Sequence, residues 1–235
     1  MSGAIVSYSM DQFLVDLAKN NSNPDDMILG YLSNTDTAEL GRALARLDRV
    51  RAIDCALIAK NRSLNSVRKK KTKKQLEGIK SAWVGKIFEE IVRILLDGCI
   101  CLSHGGNVRT STSEIDFLLK MNSLSMTIPI FIKAVTHILG EAKCYTSGVK
   151  TEWINELVGL MKIHSATHSI LFLASPSKTL PVQHRHAIHY HSGQGSVVVP
   201  FGLAQLKQIS AGKNFLRVLS DQYIDAMAGS TNLAI

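Results

Sequence analysis

Three acids and a lysine, spread between positions 85 and 145, stand in an order suited to metal-assisted phosphodiester hydrolysis. A helical stretch, Gly85-Lys86-Ile87-Phe88-Glu89-Glu90-Ile91-Val92, comes first. A strand-like stretch at 113–119 follows with Asp116, and a second at 137–145 with Glu141 and Lys143. In each strand a carboxylate interrupts an apolar run. An ionised carboxylate is costly to bury unless a cation or a dense set of hydrogen bonds compensates it. Side chains alternate along a strand, so Glu141 and Lys143 share one face and Ala142 takes the other. Glu141 can then hold a divalent metal with the Lys143 ammonium beside it. Ligation by carboxylates, a backbone carbonyl and waters suits Mg²⁺ or Mn²⁺ better than zinc. Such an ion generates hydroxide and stabilises charge on a phosphate, while the lysine orients the water or neutralises the same charge.

Two positions leave a choice. On the helix Trp83, Ile87, Ile91, Ile94 and Leu95 form an apolar stripe. Glu90 lies nearer the border of that stripe than Glu89, and geometry alone excludes neither. On the first strand Glu114 shares a face with Asp116. Asp116 is preferred because Ile115 and Phe117-Leu118-Leu119 bury its surroundings more fully.

The ordered set, helical G-x-x-x-E from Gly85 to Glu89, strand Ile115-Asp116, and strand Glu141-Ala142-Lys143 followed by an amphipathic helix, resembles the PD-(D/E)xK nuclease superfamily, which has the restriction-endonuclease-like fold. Within it the pattern is similar to Mrr-type restriction nucleases and archaeal Holliday-junction resolvases. The likeness covers residues 80–175. It implies an α/β fold with an αβββαβ core, a mixed sheet flanked by helices and an N-terminal helical extension. It implies Asp116, Glu141 and the Ala142 backbone carbonyl as metal ligands, Lys143 as the catalytic lysine, and Glu89 as the helix acid that reaches the metal directly or through water. Mg²⁺ or Mn²⁺ is the cofactor it implies, and endonucleolytic cleavage of DNA the activity. A non-catalytic nucleic-acid-binding module on the same fold and an RNA-directed nuclease are the alternatives.

Composition agrees with a polyanionic partner. Lys and Arg total 27 of 235 residues against 19 acids, a net charge of +8, and the isoelectric point is near 9.4, a balance that favours nucleic acid. The densest charge is Val67-Arg68-Lys69-Lys70-Lys71-Thr72-Lys73-Lys74. Six cations this close repel one another unless phosphates relieve them, so Arg68, Lys69, Lys70, Lys71, Lys73 and Lys74 are expected to contact a nucleic-acid backbone. Lys86, Arg109 and Lys150 are the expected contacts nearer the acids. Arg42, Arg46, Arg49 and Arg51 decorate a helix and read first as its solvated face, with a DNA-facing role as the alternative. Cys55, Cys99, Cys101 and Cys144 form no C-x-x-C pair and no disulfide framework. With no signal-peptide pattern at the N-terminus and no run of membrane-spanning length, an intracellular, cytoplasmic, non-secreted protein is expected, nucleoid-associated if bacterial. A homodimer is plausible, because one such site cuts one strand at a time.

The elements around the site follow from periodicity and turn signals. Residues 1–79 read as a helical region carrying the basic segment, and 80–235 as the nuclease domain with C-terminal helices. Helices are expected at 10–19, from Asp36 (a capping residue with Glu39 three positions on), at 81–97 and at 151–164. Strands are expected at 99–102, turned back by His104-Gly105-Gly106-Asn107, then at 113–119, and along a limb from 127 to 145 that is irregular around 133–136. The continuous apolar run 169–174 fits a central strand buried on both faces. Residues 196–201 read as a late or edge strand. His184, His186, His189 and His191 crowd a polar segment; such clustering can bind zinc or nickel or, when protonated, contact phosphate, but without a companion cysteine or acid at ligand spacing a native metal site is not expected. Helices at 203–209 and 215–227 close the chain, with fraying from Gly229.

Overall fold

The structure is a computed structural model describing residues 15, 24–64, 72–109, 114–134, 137–144, 149–175, 179–230, 233 and 235. The expected helix at 10–19 therefore lies outside the described residues, Val15 excepted. Among the described residues, the helices α1 (Pro24–Leu32), α2 (Thr37–Arg51), α3 (Cys55–Leu64) and α4 (Lys73–Asp97) precede the sheet. Then come β1 (Leu102–Arg109), β2 (Glu114–Met121), a 3₁₀ turn (Ser123–Thr127), α5 (Pro129–Ile132), β3 (His137–Cys144), α6 (Thr151–Ile163) and β4 (His168–Ala174). The last elements are α7 (Val182–Gly193), β5 (Val197–Gly202), α8 (Leu203–Ser210) and α9 (Phe215–Met227). The five strands form one mixed sheet in the order β1-β2-β3-β4-β5. β1, β2 and β3 pair antiparallel, and β3, β4 and β5 pair parallel. The chain is thus an α/β protein whose five-stranded mixed sheet is flanked by helices.

Every residue of β4 is buried, which is what its unbroken apolar run requires. Ile170 and Phe172 face a core that also holds Phe88, Ile91 and Leu95 of α4, Leu40, Leu44 and Leu47 of α2, and Phe215 of α9. Leu171 and Leu173 face a second core with Ile154, Leu157 and Met161 of α6 and Ile188 of α7. α2 begins as expected: Asp36 caps it by accepting the Glu39 N–H at 2.8 Å. At its other end Lys80 of α4 donates to the carbonyls of Arg51 and Ile53, at 2.6 and 2.8 Å. All four cysteines are free thiols. Burial pushes the Cys99 thiol up to about 12 and the Cys101 thiol up to about 11. Among the described residues no helix is long and apolar enough to cross a membrane.

Several expectations are corrected. α4 starts at Lys73, eight residues earlier than the apolar stripe suggests, because Thr72 and Gln75 form a reciprocal capping box. It runs unbroken across position 80. Trp83, expected in the apolar stripe, is 56% exposed. The glycine pair expected to turn β1 back lies within it, opposite Leu118 and Phe117; β1 is an edge strand, and the Arg93 guanidinium lies close over Gly106. The limb expected to begin at 127 instead forms a 3₁₀ turn and α5, with Pro129 in the first turn of the helix, where its missing N–H costs nothing. The histidine-rich segment is helix α7, anchored by buried His184 and Ile188. Leu233 and Ile235, in the tail expected to fray, are each only 2% exposed.

Candidate active site

β2 and β3 stop pairing at Phe117 and Gly140. One step further along the same register Asp116 comes opposite Glu141, and here side chain replaces backbone: the Asp116 carboxylate accepts the Ala142 N–H at 2.8 Å. Gly140 permits the close approach. A Cβ there would lie 2.9 Å from the Phe117 Cβ. One residue past Gly140, the strands part with a carboxylate on each. Lys143 reaches back along its own strand to form an ion pair with Glu141 Oε1, as the two-residue spacing demands. Glu141 is 9% exposed, and its other oxygen, Oε2, is buried without a hydrogen-bond partner.

Glu89 joins this group from α4. It is half-buried, and burial followed by the Asp116 charge pushes its carboxyl up, while Arg93 and Lys86 pull the other way. Burial likewise pushes the Glu141 carboxyl up, opposed by the Lys143 hydrogen bond and reinforced by the Asp116 charge. Burial and the Asp116 charge thus act in the same direction on both glutamates. Glu90, its helical neighbour, is exposed and pairs with Arg46 instead. Glu114 is exposed at the start of β2, opposite Arg109. Of these four acids, Glu89 and Asp116 are the ones at least partly buried, and Asp116 is the one that hydrogen-bonds to β3.

A hard divalent ion can be tested against this donor set. Among the described residues no three His, Cys, Asp or Glu side chains lie close enough together to hold a metal. Mg²⁺ does not need three: it is commonly held by one or two carboxylates and keeps several waters. A buried carboxylate oxygen without a partner is destabilising unless a cation or donor meets it. Glu141 Oε2 is such an atom, on a carboxylate that feels the Asp116 charge, so the residues fit a hard cation carrying its own waters.

No protein-family model matches the chain. No curated protein matches it either. Among solved structures it is similar to the MspJI restriction endonuclease in complex with a 27-mer oligonucleotide, at 14% identity and a TM-score of 0.30. The match covers 91% of this chain, which spans 37% of that one. A likeness of that strength leaves function to be argued from the residues.

The basic residues expected to contact nucleic acid fall into two groups. Arg68, Lys69, Lys70 and Lys71 lie outside the described residues, as does the Arg109 side chain. Lys73 and Lys74 are exposed in the first turn of α4, Lys86 is exposed one turn before Glu89, and Lys150 is exposed at the N-cap of α6. Two neighbours escape the sequence reading. Arg93 sits four residues beyond Glu89, the i,i+4 spacing that makes helix neighbours. Arg51, at the end of α2, donates to the Ala174 carbonyl at the end of β4 and lies 3.6 Å from Cys144 Sγ, next in chain to Lys143. No spacing rule signals that contact across 123 residues.

Proposed function

We propose that the chain is a divalent-metal-dependent nuclease that hydrolyses phosphodiester bonds, with DNA as its substrate. The observation that carries the proposal is the meeting of Asp116 and Glu141 where β2 and β3 separate, with an unpartnered Glu141 oxygen and an ammonium on the same strand. Asp116, Glu141 and the Ala142 carbonyl would hold Mg²⁺ or Mn²⁺, and Glu89 would add a carboxylate directly or through water. When bound, the ion supplies a hydroxide at neutral pH and charge stabilisation for the phosphate. Lys143, already held against Glu141, is placed to orient the attacking water or to neutralise charge that develops on the phosphate oxygens. Asp116 and Glu141 stand against the one Lys143 ammonium where the strands part, while Arg93 and Lys86 act on Glu89; a divalent cation would offset the remaining negative charge.

The basic face supports the substrate. Lys73 and Lys74 occupy the N-terminal turn of α4, where cations oppose the helix dipole, and the exposed Lys73–Glu77 pair at 3.7 Å offsets little of that. A polyanion relieves that repulsion.

The test pairs cleavage with a measurement that needs no cleavage. Wild type should cut duplex DNA with Mg²⁺ or Mn²⁺ and not with EDTA, and Glu141→Gln and Lys143→Ala should each abolish cutting while still binding DNA. Mg²⁺ should raise the melting temperature of wild type and not of Glu141→Gln, since a ligand that binds only the folded state stabilises it. A wild type that cuts nothing and gains no stability from either ion overturns the proposal. Faster cleavage of matched RNA would redirect it to an RNA nuclease, and salt-sensitive binding without turnover to a binding module.

A further inference from the structure

We infer that the cleft between α2 and α4 is a track for the phosphodiester backbone of a nucleic acid, held by Arg42, Arg46 and Arg49 and leading to the candidate active site. The inference rests on the proposed nuclease reading for its ligand but on different residues for its support.

Arg42, Arg46 and Arg49 fall at i, i+4 and i+7 of α2 and so share one stripe. All three are exposed, while Leu40, Leu44 and Leu47 on the opposite side enter the core. The three line a concave cleft of about 420 Å³, floored in part by Ala43 and Ala45 and bordered by Glu39 and Glu90. A merely solvated helix face would not need this concavity. Small residues between the arginines let a ligand backbone come close to the helix. Arg46 pairs across the cleft with Glu90, and among the described residues Arg42 has no ion-pair partner. Both members of the Arg46–Glu90 pair are nearly half exposed, at 45% and 48%. Such a pair contributes little to stability, so a phosphate that offers a bidentate contact can displace it.

The row extends about 10 Å along the helix, room for about three successive phosphates of one strand. Its position ties it to the site at both ends. Glu90 on the cleft wall is the chain neighbour of Glu89, whose carboxyl senses Asp116. The same α2 helix ends at Arg51, hydrogen-bonded to Ala174 at the C-terminal end of β4, beside the end of β3 where Lys143 lies. A strand lying in the cleft is thereby led toward the acids, and its contacts carry no base sequence.

The experiment measures binding of a fluorescein-labelled DNA duplex by anisotropy across a KCl series in EDTA, so that cleavage plays no part. Changing Arg42, Arg46 and Arg49 together to Gln should lower the slope of log K against log salt by about 3, one for each phosphate no longer neutralised. Binding should weaken about tenfold or more at the highest salt that wild type tolerates. The triple change to Lys should restore the slope, which separates charge from folding. Changing Lys120, Lys133 and Lys162 to Gln, near the opposite ends of the strands from Lys143, removes the same charge and should leave the slope unaltered. An unchanged slope in the folded arginine triple variant overturns the inference, and so does a wild type that binds no duplex at low salt. If the variant fails to bind inorganic polyphosphate yet binds DNA as wild type does, the cleft is a small-anion pocket and the inference is again overturned. If the slope falls as expected but wild type never cleaves with Mg²⁺, the nuclease proposal fails while the track stands.

Discussion

At the scale of single residues, Gly140 is as informative as the acids. A methyl group there meets the Phe117 Cβ at 2.9 Å, with a buried phenyl ring behind it and little room to give. Gly140→Ala should therefore cost about 1–3 kcal/mol, the usual range for overpacking a core, and should move β2 away from β3 one residue before Asp116 and Glu141. The expected result is a lower urea midpoint together with a larger fall in Mg²⁺-dependent cutting than the reduced stability explains. Normal activity per folded molecule would contradict it. His168 gives a pH prediction elsewhere in the core. Its Nδ1 meets the Thr167 hydroxyl at 2.8 Å, its Nε2 is buried without a partner, and burial, aided by Lys133, pushes its pKa down to about 4. The folded pKa lies below the unfolded one, so above about pH 6.5 both states are neutral and the group adds no pH dependence. As pH falls from there toward 4, the unfolded chain takes up a proton that the fold refuses. Stability should drop across that window by on the order of 3 kcal/mol, then level off. His168→Gln should remove this part of the slope in denaturant titrations at a series of pH values; a variant whose slope matches wild type would contradict the assignment.

At the scale of elements, α4 carries both Glu89 and the lysines that oppose its dipole, and its first turn is held by the Thr72–Gln75 box. Thr72→Ala should cost about 1 kcal/mol, typical for removal of an N-cap, and should weaken DNA binding without touching the acids. Hydrogen exchange and anisotropy would measure the two effects, and fraying with no change in binding would dissociate the first turn from the ligand. Legibility also differs by element. β4 and α6 are readable because burial imposes a period: a continuous apolar run in one, residues 154, 157, 158 and 161 in the other. The start of α4 is hidden because a charge run masks the cap within it. α7 is hidden because only His184 and Ile188 are buried among its twelve residues, too few to show a helical period. β1 misleads because glycine signals turns, yet at a sheet edge it also admits an overlying side chain such as Arg93.

At the scale of the molecule, sequence order foretells helix, three strands, helix, strand. It does not foretell the convergence of the acids, which depends on where the β2–β3 ladder stops. Nor does it foretell how α2 lies along α4, since the arginine stripe and the core stripe of α2 are equally regular. The tail is unreadable for a similar reason: five polar or small residues, 228–232, precede Leu233, and nothing local announces that it packs with Leu180, Val198 and the rest of the second core. The Leu180 N–H donates to the Leu233 carbonyl at 3.0 Å, and Ile235 fills the space a side chain on Gly202 would need. Leu233→Ala should cost about 2–5 kcal/mol, as for other buried leucines, measured by chemical denaturation. A change below about 0.5 kcal/mol, the usual range for surface substitutions, would contradict the buried position.

The Ala142 amide has an unusual acceptor: a carboxylate that is itself a prospective ligand, where a sheet would supply a carbonyl. An ion that draws Asp116 toward itself takes that acceptor away, so deuterium uptake at this one amide should quicken when Mg²⁺ or Mn²⁺ is added, with no nucleic acid in the tube. Uptake unaltered by either ion would mean that Asp116 keeps its present bond and serves as a strand clasp.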